Sequence, residues 1–345
     1  MSKTPLDLAH TLAQECVSST PVIILGSGYS AAFGIPGMPK LKAHLLTVTP
    51  PTDATPEEHA SWNGFHARLS AVDLETALNE VRLSDRLTSV IVDSTWEFLA
   101  PYDYAVFEQL LKDRQLLPLT ALYKHLFNST AAEINVVTPN YDRLAEYAAD
   151  AAGINHYTGF TYGYLRSRCP QGSVRMPVNG NRPRTVNVWK VHGSFDLFWD
   201  ADNIVMSVPV GKVRPAGMTP IIVTPGIEKY RKTHDEPFLS VKTEADKALR
   251  TANGYFCVGY GFNDPHLQTT LVERCREQSV PLVLLSKTIS ATARTFLSSG
   301  KVRKYLALEE CGSGSRMFCP DYPVGVELPA SCIWQLREFL KLIIL

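Results

Sequence analysis

Apolar residues in this chain gather into short, nearly continuous runs separated by amphipathic stretches. The runs occupy residues 21–25 (PVIIL), 134–138 (INVVT), 187–191 (NVWKV), 221–224 (IIVT), 254–259 (GYFCVG) and 281–286 (PLVLLS). A strand with one wet face alternates polar and apolar residues. A run that stays apolar reads instead as a strand covered on both faces, as in a parallel sheet. Helical patterns follow several of the runs, among them YDRLAEYAADAAG after the second and PHLQTTLVERCREQ after the fifth. Strands alternating with helices predict a doubly wound α/β domain whose parallel sheet has about six strands.

Two stretches depart from that rhythm. From about residue 40 to 132 no strand-like run occurs, and the amphipathic segment 104–128 lies inside it, so this region reads as a helical insertion after the first strand. Residues 156–185 are rich in Tyr, Gly, Arg and Pro and read as an irregular excursion before the third strand. The chain closes on IWQLREFLKLIIL, an apolar helix over about residues 333–345. Docking on the core is its first expected role, and an oligomer contact the second.

Composition narrows the functional classes. The 34 Lys and Arg balance the 34 Asp and Glu, so no broad field attracts nucleic acid. No apolar run is long enough to span a membrane, and the first residues lack a signal-peptide core. The seven cysteines are scattered with no C-x-x-C pair, which reads as free thiols in a cytoplasmic protein. Cys311 and Cys319, with seven residues between them, have a poor ligand spacing, so no metal site is expected.

Four motifs carry candidate chemistry, each at the end of a strand run. The first is Gly26-Ser27-Gly28-Tyr29-Ser30, continuing to Gly34-Ile35-Pro36. Its glycines let the backbone turn tightly and approach a pyrophosphate, although an ordinary β–α turn uses glycines in the same way. The usual dinucleotide fingerprint also needs an acid at the end of a second strand about twenty residues on. Here no acid appears before Asp53, which disfavours a standard dehydrogenase. The second motif is Thr138-Pro139-Asn140-Tyr141-Asp142. Asp142 suits a helix start by capping, while Asn140 can both donate to and accept from a ribose hydroxyl or a water. The third is Lys190-Val191-His192-Gly193, whose imidazole can take a proton near neutral pH. Most lone histidines, His156 and His234 among them, read as structural. The fourth is Gly259-Tyr260-Gly261-Phe262-Asn263-Asp264-Pro265-His266. There Asp264 reads equally as a helix cap and as a ligand contact, and His266 as a supporting residue.

Taken together and in this order, the motifs resemble the sirtuin superfamily. Gly26, Gly28, Ser30, Gly34, Ile35 and Pro36 match its glycine loop, Asn140 and Asp142 its N-x-D, and His192-Gly193 its catalytic H-G. Departures are equally clear. Gly37-Met38-Pro39 stands where deacylases carry an acid, an aromatic and an arginine, Pro139 replaces the glutamine before the asparagine, and the four-cysteine zinc module has no counterpart. The T-P-N-Y-D and G-Y-G-F-N-D-P-H strings look like the branch of bacterial antiphage-defence NAD hydrolases.

That resemblance implies a single Rossmann-like NAD-binding domain over residues 1–345. Its implied reaction cleaves the nicotinamide–ribose bond of NAD, as a substrate, to ADP-ribose and nicotinamide without a metal. Asn140 and His192 would be catalytic, with His192 as general base. Gly26, Ser27, Gly28, Ser30, Pro36, Asp142, Gly259, Tyr260, Gly261 and Asp264 would bind NAD. It also implies a homo-oligomer, a partner such as a HerA-type ATPase, or both, with no direct contact to nucleic acid or membrane. A non-enzymatic sensor of NAD or ADP-ribose, and a protein deacylase or ADP-ribosyltransferase, remain open as alternatives.

Overall fold

The computed structural model describes residues 4–169, 183–209, 211–224 and 236–344. His234 and most of the second half of the 156–185 excursion lie outside the described residues. The strands are β1 (Val22–Leu25), β2 (Glu133–Thr138), β3 (Asn155–Tyr157), β4 (Arg166–Ser167), β5 (Thr185–Lys190), β6 (Gly193–Trp199) and β7 (Val205–Ser207). Then follow β8 (Thr219–Ile222), β9 (Tyr255–Val258), β10 (Leu282–Leu285), β11 (Tyr305–Cys311), β12 (Gly314–Cys319) and β13 (Tyr322–Leu328).

Among the described residues the large sheet has nine strands in the order β13-β12-β11-β10-β9-β1-β2-β5-β3. From β3 to β11 every neighbouring pair is parallel, and β12 and β13 add an antiparallel edge. Successive residues of the central strands bury on opposite faces. Ile23, Val136, Phe256 and Val283 pack on one side, whereas Ile24, Val137, Cys257 and Leu284 pack on the other. This is the physical reason the runs read as continuous: neither face is left for water.

One run behaves otherwise. Residues 221–224 overlap β8, which belongs to a separate four-stranded antiparallel sheet in the order β4-β7-β6-β8. A short apolar run carries no mark of strand direction, and β8 is apolar because both faces of this small sheet are also covered. Ile222 packs with the helical region and Ile221 with Phe160 and Phe238.

Between β1 and β2 the longer helices are Met38–Leu45, Pro56–Ala71, Leu74–Glu80, Asp85–Leu110 and Leu119–Leu126. Local chemistry sets their starts. Thr55 and Glu58 form a reciprocal capping box in front of Pro56, and Asp73 accepts from Thr76 N at 2.9 Å. Trp62, Phe65, Leu87 and Trp96 form a core of their own against Phe195, Phe198 and Ile222 of the small sheet. Trp96 Nε1 also donates to Phe195 O at 3.0 Å. The terminal helix, Leu336–Ile343, buries Leu336, Phe339, Leu340 and Ile343 in the main core beside the first helix, Pro5–Ser18. Its apolar face is therefore spent within the chain, which removes it as an apolar oligomer contact. Among the described residues no helix is long and apolar enough to cross a membrane.

Candidate active site

The carboxyl ends of β1, β2, β5, β9 and β10 converge on one cleft of about 440 Å³. In an open α/β sheet these ends form the crevice where ligands bind, and the volume suits a small-molecule site. Gly26, Ser27, Gly28, Asn140, His192, Gly259, Tyr260, Gly261 and Asp264 all line it. Ser30, Pro36 and Asp142 do not; all three are buried. The sequence reading passed over Glu75, which reaches the cleft from the helical region, and Lys287, which follows β10. Neither sits in a motif. Lys287 was recognisable only as the first cation after a strand end.

The glycines are explained by each other. Gly28 N donates to Gly259 O at 3.1 Å, and Gly26 N to Val258 O at 3.0 Å. A Cβ on Gly26 would meet Gly259 O at 2.2 Å, and one on Gly28 would meet Gly259 Cα at 2.8 Å. Gly259 has φ +61 and leaves no room beside Tyr29 N. The two glycine loops thus pack backbone on backbone. For Gly28 the structure adds a second reason beside the expected approach of a pyrophosphate: close approach of the neighbouring loop, which also uses its amide.

Asn140 is tied to the same loop. Its Nδ2 donates to Gly26 O at 2.9 Å and to Ser30 Oγ at 2.8 Å. With the amide nitrogen so engaged, the carbonyl oxygen is the group left for a ligand. Ser30 Oγ donates onward to Asp142 Oδ2 at 2.5 Å, and Asp142 Oδ1 accepts weakly from Leu144 N at 3.3 Å. The capping role read for Asp142 is therefore secondary to its bond with Ser30. Burial pushes the Asp142 carboxyl up to about 6, against the opposing pull of Lys190 and the Ser30 hydrogen bond.

Around Asp142 the surroundings are charged. Arg143 Nε donates to Asp103 Oδ2 at 2.9 Å, and Arg143 N to Asp103 Oδ1 at 2.7 Å. Lys190 Nζ pairs with Glu146 Oε1 at 2.8 Å. Asp196 accepts from Arg166 at 2.9 Å, from Ser207 at 2.7 Å and from Ser194. Burial alone would raise Asp196, but Arg166, Lys190 and Arg143 outweigh it and hold the carboxyl well below the usual range.

His192 occupies a two-residue turn between β5 and β6. Gly193 follows with φ +87, and a Cβ there would strike Ile221 O at 2.1 Å, so only glycine closes the turn. His192 O accepts from Val223 N at 2.9 Å. Its Nε2 lies 2.7 Å from Asp264 Oδ2, while Nδ1 is buried with no partner among the described residues. Asp264 reaches His192 from a loop with two left-handed residues, Gly259 and the fully buried Phe262 at φ +56. A phenylalanine held there stores about 1 kcal/mol of strain or more, a feature concentrated at functional loops. Among the described residues no group of three or more His, Cys, Asp or Glu side chains could hold a metal.

Residues 134–303 match the SIR2-like domain family. The SIR2-like segment contains Asn140, His192 and the 259–264 loop, and begins after the first glycine loop. No curated protein matches the chain. Solved structures similar to it include Sir2 enzymes at 16% identity, covering 83% of this chain and 88% of that one, with TM-score 0.40. Another is a Sir2 homologue–NAD complex at 15% identity, 89% coverage of each chain and TM-score 0.39. A third is Sir2 bound to a propionylated peptide, at 13% identity, 84% and 89% coverage and TM-score 0.42.

Proposed function

We propose that this cleft binds NAD and hydrolyses its nicotinamide–ribose bond, releasing nicotinamide and ADP-ribose. One observation carries the reading: Asn140 and His192, at the ends of adjacent parallel strands, share a cleft with both glycine loops. The transition state for leaving of nicotinamide is oxocarbenium-like, so the protein has little covalent work to do. Positioning does most of it. Asn140, its nitrogen held by the loop, offers a carbonyl oxygen to the ribose or the attacking water. His192 accepts the proton that the water releases. The loops at Gly26–Gly28 and Gly259–Gly261 line the dinucleotide, and Lys287 supplies a cation within reach of its phosphates.

The same reading makes the protein the effector of a bacterial antiphage defence system. A permanently active NAD hydrolase would kill its host, so activity would be gated by self-assembly or by a partner such as a ring-forming HerA-type ATPase. What supports this is the likeness of T-P-N-Y-D and G-Y-G-F-N-D-P-H to that branch.

The test is nicotinamide release from NAD by the purified chain, alone and with its genomic neighbour. His192→Ala and Asn140→Ala should each lose about a hundredfold or more in turnover. Because the two act as a unit, the double variant should be little worse than either. His192→Ala should keep its affinity for NAD, whereas Asn140→Ala also frees the glycine loop and should bind more weakly. Near-normal release by His192→Ala would refute hydrolysis through this base.

A further inference from the structure

His192 presents an unusual arrangement for a buried imidazole. Only 7% of the residue is exposed, and Asp264, at 8%, lies against it in the same cleft. The carboxylate meets Nε2 at 2.7 Å. An ionised carboxylate is acceptor-only, so the bond requires the proton on Nε2. In the neutral ring the lone pair then sits on Nδ1. That atom is buried, and no described residue bonds to it. A buried polar atom without a partner costs free energy and calls for an explanation. Rotating the ring by half a turn offers none, because it would place a carbon against Asp264.

We propose that Asp264 is the positioning residue of the hydrolytic reaction: it holds the imidazole by Nε2–H, so that Nδ1 is the atom that accepts the proton. The inference rests on the NAD-hydrolase reading for its chemistry, but the tautomer is a property of the protein alone. In the step itself, a water O–H bond breaks as its oxygen bonds to the anomeric carbon. The C–N bond to nicotinamide breaks with its electron pair on nitrogen, and the proton passes to His192 Nδ1. The resulting imidazolium is stabilised by the Asp264 carboxylate on its far side, which is the logic of a carboxylate behind a catalytic histidine. Nδ1 is closed to water in the unliganded chain, so the attacking water has to be admitted to it as NAD binds. Asp264 is also placed to begin the helix Pro265–Glu277, so a purely structural role must be separated from this one.

Two variants separate them. Asp264→Asn keeps the size and loses the charge, whereas Asp264→Ser keeps helix-capping ability and loses the carboxylate. The full chain, labelled with ¹⁵N in its histidine rings, reports the tautomer by NMR, with His192→Ala identifying the resonance. The expected wild-type state is Nε2–H with unprotonated Nδ1, and in both variants the population should shift toward Nδ1–H. With NAD, both should lose about a hundredfold in kcat or more while KM changes by less than about threefold. An Nδ1–H tautomer in the wild type would overturn the proposal, and so would normal kcat in Asp264→Ser from a wild type that cleaves NAD. A wild type that shows the Nε2–H tautomer but cleaves no NAD under any condition would overturn the hydrolase reading and leave the carboxylate–imidazole geometry supported.

Discussion

The two halves of the cleft are built from opposite materials. On the β1 and β9 side, the loops meet through bare backbone, Gly26 and Gly28 against Gly259, with almost no charge involved. On the β2 and β5 side, side chains carry the structure, and buried charges pair off: Asp103 with Arg143, Glu146 with Lys190, and, in the adjoining small sheet, Asp196 with Arg166. The first half fails by shape and should be indifferent to pH. The second tolerates changes of shape better, but each charge depends on a partner far away in sequence.

The largest effect should come from breaking the charged half. Asp103→Asn leaves Arg143 buried without its counter-ion, and one-sided removal of such a pair costs about 3–5 kcal/mol. Denaturant unfolding should show this loss, and a change below about 1 kcal/mol would mean the pair is not buried as described. Gly259→Ala should come next. It forces a Cβ onto Tyr29 N from a left-handed residue and should cost about 3 kcal/mol, with the same loss at pH 5 and pH 8.

Asp142 sharpens the contrast through pH. Its carboxyl titrates at about 6 in the folded chain, above the ordinary 3.8, because burial disfavours the charge. A raised folded value means that Asp142 contributes its stability below the ordinary carboxylate range and loses it as pH climbs through 6. Asp142→Asn, which cannot ionise, should therefore match the wild type near pH 4. Near pH 7.5 it should be more stable by an amount on the order of 3 kcal/mol. Equal stability at both pH values would contradict the raised value. Asp196 has the opposite sign: its carboxyl is held low, so its contribution is present at neutral pH and lost on strong acidification. The smallest expected effect is none. Treatment with a chelator should leave melting temperature and activity unchanged, and elemental analysis showing about one zinc per chain would contradict it.

The contrast also separates what could be read from the chain. The backbone half was legible because it is local. A strand run ending in G-S-G or G-Y-G announces itself, and five of the six runs do lie in the parallel sheet. Residues 221–224 went to the wrong sheet because four apolar residues say nothing about direction. β6 escaped notice because Asp196 interrupts GSFDLFW, and its burial makes sense only once Arg166 is beside it. The charged half was illegible for that reason. Asp103 lies within a helix 40 residues before the arginine it neutralises, and no local spacing links them. The convergence of Asn140 and His192 followed from the rule for strand ends, whereas the Asp264–His192 bond joins residues 72 positions apart. The shape of a loop with Phe262 in a left-handed conformation sets that bond, and no motif encodes it.

The turn at His192 has one more consequence. Val191 and His192 are all that separates β5 of the large sheet from β6 of the small one, and Gly193 is wedged against Ile221. No spacer lies between the imidazole and that sheet. Whatever grips β6 and β8 from outside grips the base with them, so the small sheet is a handle on the chemistry, set at the rim of the cleft.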